Sequence, residues 1–181
     1  MKKYLLALML VLCMAVSSQA TVGSCVTTIG TSTTTNDRVP DSVTVIVTLT
    51  CTGGTGGDAG TISNTTIPIA PSTTGTLTGY NLYGYYLFAV KRIPGNVSSS
   101  QLTCSVGCPT ASYTVTITDA DGFAIDLGDL TSNGSASVAQ YTNIYTSSVI
   151  YPVITSAPIV AISGNSVASS KITLRLVFKA W

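Results

Sequence analysis

The chain has 181 residues, no histidine and a formal net charge of +1, with 8% charged and 45% apolar side chains. Sparse charge among many β-branched residues excludes a solvated disordered segment, and the missing imidazole removes the usual hydrolase triads and histidine acid–base chemistry. A near-neutral total gives no long-range pull on nucleic acid or anionic lipid.

The chain opens like a secretion signal. Lys2 and Lys3 precede an apolar run, Tyr4 to Val16, that is short for a bilayer span, and Ser18-Gln19-Ala20 offers small residues for cleavage after Ala20. Cys13 suggests lipoprotein processing only weakly, because Leu12 stands where a small residue is wanted. Cleavage leaves about 160 residues, the size of one domain with a real core. That chain carries Arg38, Lys91, Arg92, Lys171, Arg175 and Lys179 against seven Asp, a formal charge of −1, and it contains no Glu.

Residues 21–41 are Thr-rich with few apolar positions and are expected to form an N-terminal arm, with one short strand around Cys25 to Ile29. From Ser42 to Cys51 apolar residues alternate with threonine: Val43, Val45, Val47, Leu49 and Cys51 share one face, the signature of a half-buried strand. Gly53 to Gly60 reads as a flexible hairpin loop. Its Gly54-Thr55-Gly56-Gly57-Asp58-Ala59 imitates a dinucleotide-binding pattern, but no helix follows to hold a pyrophosphate. Thr61 to Ala70 is a second strand, placed at an edge or strand end by Pro68.

Gly79 to Ile93 is an aromatic strand. Leu82, Tyr86, Phe88 and Val90 fall on one face with Gly84 as a bulge, and Asn81, Tyr83, Tyr85, Leu87 and Lys91 on the other. Tyr83 and Tyr85 are the candidate binding face, able to stack on sugars or meet a partner; the plainer reading is an aromatic row stiffening the sheet. Tyr113 to Leu127, YTVTITDADGFAIDL, reads as a hairpin with Asp121-Gly122 as a type I′ turn and Phe123, Ile125 and Leu127 on one face of its second arm. Leu130 to Ser148 fits a helix, a loop or an irregular strand. Pro152 and Pro158 divide the next apolar run, so it is not a membrane span. Ile159 to Ser163 is a short strand, Gly164-Asn165 a turn, and Lys171 to Lys179 the closing strand with Ile172, Leu174, Leu176 and Phe178 facing in.

Four cysteines follow the signal: Cys25, Cys51, Cys104 and Cys108. An even number in an exported chain points to two disulfides with three connectivities, of which Cys25–Cys51 and Cys104–Cys108 are favoured. A zinc site has neither a CxxC pair nor a histidine to support it. Asp119, Asp121, Asp126 and Asp129 are close in sequence, but their spacing does not match a calcium loop and a polar turn accounts for them. Gly164 to Ala168 approaches a nucleophile elbow around Ser166 but lacks the final glycine, the base and the helix. The basic row Lys171, Arg175 and Lys179 reads as charge guarding an exposed or edge strand. No catalytic residue, cofactor or metal is expected.

From Val43 onward, VTVIVTLT with its Gly/Asp loop, the strand ending Ile93-Pro94-Gly95, the YTVTITDADGFAIDLGDL segment and the final Pro158–Ala168 and ITLRLVF strands resemble small β-rich phage virion proteins, head- or tail-associated, over about residues 43–179. The resemblance implies a structural role without catalytic residues. A signal and disulfides depart from a family assembled in the cytoplasm. The expectation is therefore a single all-β domain over 42–181, an antiparallel β-sandwich of jelly-roll type. It would be exported to the periplasm, cell surface or medium as a non-enzymatic structural or adhesive protein. Its partner would be a protein or particle surface, or itself, with no nucleic acid and no integral membrane segment after cleavage. The alternatives are a pilus or fibre subunit donating its N-terminal arm as a strand, and a small outer-membrane β-barrel.

Overall fold

The computed structural model of the protein describes residues 20–36, 39–70, 81–96, 103–126, 135, 140–143 and 152–180. The expected signal, Asp129, Leu127 and most of 130–148 lie outside the described residues.

Among the described residues there are eight strands: β1 (Ser24–Asn36), β2 (Val39–Thr52), β3 (Thr65–Thr66), β4 (Tyr86–Pro94), β5 (Thr114–Thr118), β6 (Gln140–Asn143), β7 (Ile159–Ser163) and β8 (Lys171–Lys179). They form two antiparallel sheets, one in the order β1-β2-β8-β4-β6 and one in the order β3-β7-β5. The domain is all-β, as the period-two pattern requires. Among the described residues both sheets have an edge strand at each end, so these strands do not close into one barrel.

One buried cluster joins the sheets. Val45, Val47 and Leu49 of β2, Leu174, Leu176 and Phe178 of β8 and Val90 of β4 meet Val115 and Ile117 of β5 and Val160 and Ile162 of β7. The alternation in β2 and β8 places every second residue in this cluster and the threonines and cations between them on the opposite face. Burying a Val, Leu, Ile or Phe side chain contributes about 1.5–3 kcal/mol, so this shared interior dominates the stability of a chain with so few charges.

The Thr-rich segment is not an arm. Ser24 to Thr34 pairs residue by residue with Thr52 to Ser42, and Cys25 lies directly opposite Cys51, to which it is disulfide-bonded. Threonine is polar by composition but β-branched in conformation, so a segment with little to bury still forms a strand when a partner is adjacent. The second strand shrinks instead: of Thr61 to Ala70 only Thr65–Thr66 is regular, at the edge of the smaller sheet and just ahead of Pro68.

In β4 the register shifts between Leu87 and Ala89 opposite β8. This bulge, at Phe88 and not at Gly84, reverses the alternation, so that Leu87 and Val90 are both buried although an uninterrupted strand would put them on opposite faces. Gly84 (φ 84°) lies in the turn ahead of the strand.

The Tyr113–Leu127 hairpin is shorter than expected. β5 pairs mainly with β7, and its return contact is a single bridge, Thr118 to Ala124, with Ile125 N–H donating to Ile117 O (2.9 Å). The turn is not type I′: Asp121 has no positive φ, and only Gly122 does (φ 90°). Gly122 N–H donates to Asp119 O (3.2 Å), and the Asp119 carboxylate accepts from the N–H of Asp121 (3.0 Å) and Phe123 (2.8 Å). The side chain of Asp119 therefore builds the turn and places the glycine after it, as in three-residue hairpin loops. Phe123 is thrown outward, 72% exposed, while Ile125 is buried.

Candidate functional site

The register sorts the candidate residues into two ends, two faces and one open edge. Thr52, Lys171, Pro94 and Ser163 mark one end of the strands; Thr44, Lys179, Tyr86, Thr118 and Ile159 mark the other.

At the first end the loops are locked together. Asn165 is the hub: its Oδ1 accepts from Thr110 N–H (3.0 Å), and its Nδ2 donates to Gly60 O (2.7 Å) and Ser170 Oγ (2.8 Å). Thr110 Oγ1 accepts from Ser166 N–H (2.9 Å) and shares a proton with Ser166 Oγ (2.9 Å). Ser166 is thus engaged with a threonine and faces no base. The Gly53–Gly60 loop is packed, not flexible. A Cβ on Gly60 (φ 77°) would lie 2.6 Å from Ser166 backbone atoms, and one on Gly54 would meet Thr21 O. Its only helical piece is the 3-10 turn Gly56–Asp58, too short to serve a pyrophosphate. The second disulfide, Cys104–Cys108, lies at this end. Asn96 Oδ1 accepts from Ser105 N–H (3.1 Å) and Val106 N–H (3.3 Å) and so orders the disulfide loop.

At the opposite end, Tyr83 and Tyr85 do not form a common face. Both precede β4; Tyr83 is 63% exposed in a turn, whereas Tyr85 packs against the core. Two other loops reach this end of the strands. Gly84 N–H donates to Ile154 O (3.0 Å) and Ile154 N–H to Tyr85 O (2.8 Å), next to exposed Val153. Ala120 N–H donates to Ser156 Oγ (3.0 Å), which ties in the turn that carries Phe123.

Between the sheets lies a polar interior. Arg92, Asp126 and Tyr113 are buried. Burial lowers the Arg92 pKa, which the Tyr113 charge opposes; burial pushes the Tyr113 phenol up to about 12, with Arg92 holding it lower than burial alone would. The Tyr113 hydroxyl has no hydrogen-bond partner among the described residues. Period two places Arg92 on the face of Val90, and the fold buries both, a position that charge alone does not suggest. Asp126 leaves the acidic group by burial and Asp119 by its role in the turn. Among the described residues no group of three or more His, Cys, Asp or Glu is placed to hold a metal. No helix among them is long and apolar enough to cross a membrane.

The edge is β1. Gly23 N–H donates to Thr61 O (2.8 Å) and Gly23 O accepts from Ser63 N–H (2.9 Å), both away from β2. Because backbone groups alternate sides along a strand, Cys25, Thr27 and Ile29 also aim their N–H and C=O groups at the open edge. Their side chains face the core side and are half-buried, with Cys25 and Ile29 packed on the core. From Ser24 to Thr34 this edge contains no charged residue and no proline.

Comparison with known proteins returns no match to this chain: no family model, no curated protein and no solved structure. The resemblance to phage virion proteins gains nothing from it.

Proposed function

We propose that the protein is an exported, non-enzymatic structural or adhesive domain that works by surface assembly, on a particle of virion type or with its own copies. The observation that carries this reading is the open β1 edge. Sheet edges are ordinarily blunted by lysine, proline or a bulge, and an unguarded long edge is a template for pairing with another chain. Two disulfides are compatible with an oxidising compartment outside the cytoplasm.

The occupant that fits is a second β1. Cys25, Thr27 and Ile29 carry outward backbone groups and also core-side side chains. Pairing about a two-fold axis through Ile29 would set Cys25 against Thr33, Thr27 against Thr31 and Ile29 against its own copy, with about ten new main-chain hydrogen bonds at two per hydrogen-bonded pair. Strand donation by this segment is the weaker version, because Cys25–Cys51 fastens β1 to β2. Sedimentation equilibrium of the secreted protein is expected to give a dimer. Thr27→Pro, which removes an N–H that the monomer does not use, should raise its dissociation constant at least tenfold with the melting temperature little changed. A monomer at about 100 µM, with no assemblies in electron micrographs, would remove the reading.

A further inference from the structure

We infer that the outer face of the five-stranded sheet is a binding site for a linear acidic polysaccharide. β8 is the middle strand of that sheet, between β2 and β4, so edge protection does not explain its cations. The alternation that buries Ile172, Leu174, Leu176 and Phe178 turns Lys171, Arg175 and Lys179 to the outer face. Lys91 of β4 joins them directly opposite Arg175. Four of the chain's eight lysines and arginines thus share one surface. The described carboxylates with assigned surroundings lie elsewhere: Asp58 in the glycine loop, Asp119 and Asp121 in the β5 turn, and Asp126 in the interior.

Folding alone does not favour this arrangement. Like charges directly across a strand pair are destabilising, and Lys91 faces Arg175 one strand spacing away, about 4.8 Å. Lys179 is partly compensated, its Nζ lying 3.6 Å from the centre of the Phe88 ring. An anionic ligand would compensate the others.

The surface between the cations selects the ligand class. Lys171, Arg175 and Lys179 are four residues apart along one strand, about 13 Å between neighbours. Between Lys171 and Arg175 lies Thr173 with Thr50 opposite it, and between Arg175 and Lys179 lies Val177 with Ile46 opposite it, so hydroxyl and apolar surface alternate between the cations. Nucleic-acid affinity comes from neutralising many phosphates, and four cations are few for that. A sugar chain combines carboxylates or sulfates with hydroxyls and apolar ring faces, which match the cations, the Thr173–Thr50 pair and the Val177–Ile46 pair on this one surface.

This site is independent of the β1 edge, and it is tested by titrating the secreted protein with heparin and with polygalacturonate, using neutral dextran, duplex DNA and anionic phosphatidylserine vesicles as comparisons. Heparin or polygalacturonate should bind, dextran should not, and affinity should fall as salt rises. The Lys91→Gln/Arg175→Gln variant should bind at least tenfold more weakly while melting no lower than the parent, because it relieves a repulsion. Should that variant fail to fold, Lys171→Gln, at an exposed position, should still weaken binding about threefold. Absence of binding to both acidic polysaccharides, unchanged affinity in the variants, or equal or tighter binding to DNA or vesicles would overturn the assignment.

Discussion

Tyr113 and Asn165 are two residues whose surroundings determine their behaviour more than their type does. The Tyr113 phenol ionises at about 12 when folded and near 10 when exposed, so the folded state holds its proton more tightly. Its contribution is complete below pH 10 and is lost as pH rises from 10 towards 12, on the order of 2 kcal/mol in all. Urea unfolding at pH 9 and pH 11.5 should show that loss. Tyr113→Phe should remove this component and at pH 8 cost little, since the buried hydroxyl has no hydrogen-bond partner among the described residues. Asn165 is the opposite case. Asn165→Ala strands Thr110 N–H and Gly60 O together and should cost about 2–3 kcal/mol at all pH values, read as a shift of the urea midpoint. Neither role was visible from the residues nearby in sequence, because Arg92, Gly60 and Thr110 are brought there by the fold.

At the scale of elements, strands with strict alternation were legible. β8 spans Lys171–Lys179 and β7 Ile159–Ser163, both with the expected bounds, and β2 buries Val45, Val47, Leu49 and Cys51 on one face. Elements without a strong apolar row were not. β1 is a strand because β2 is beside it, and among the described residues the second arm of the β5 hairpin is reduced to the Thr118–Ala124 bridge. The β4 bulge inserts one residue, and a period-two count cannot see it without the register of β8. Both disulfides join the favoured pairs, and they should differ in weight. Cys25–Cys51 closes a loop of 26 residues and Cys104–Cys108 one of four. The loop-entropy model assigns the longer one about 3 kcal/mol. Replacing Cys25 and Cys51 by Ala should lower the melting temperature clearly more than replacing Cys104 and Cys108, measured by calorimetry under oxidising conditions.

At the scale of the whole molecule, the sequence by itself determined the class of fold, the inward rows of the long strands and the lack of imidazole chemistry. These are local properties: a side chain's face follows from its parity along a strand, and composition is a count. Tertiary structure alone decided which strands are edges and which are central, and therefore what the polar residues mean. A chain of formal charge +1 carries no apparent electrostatic bias, yet β4 and β8 lie side by side and set Lys91 opposite Arg175 on one surface. The same pairing leaves the uncharged β1 outermost, with one side of its backbone unpaired beyond Gly23 among the described residues. Net charge and alternation are sums along the chain. Adjacency between strands about eighty residues apart depends on how two sheets bury one core, and no window of the sequence contains that.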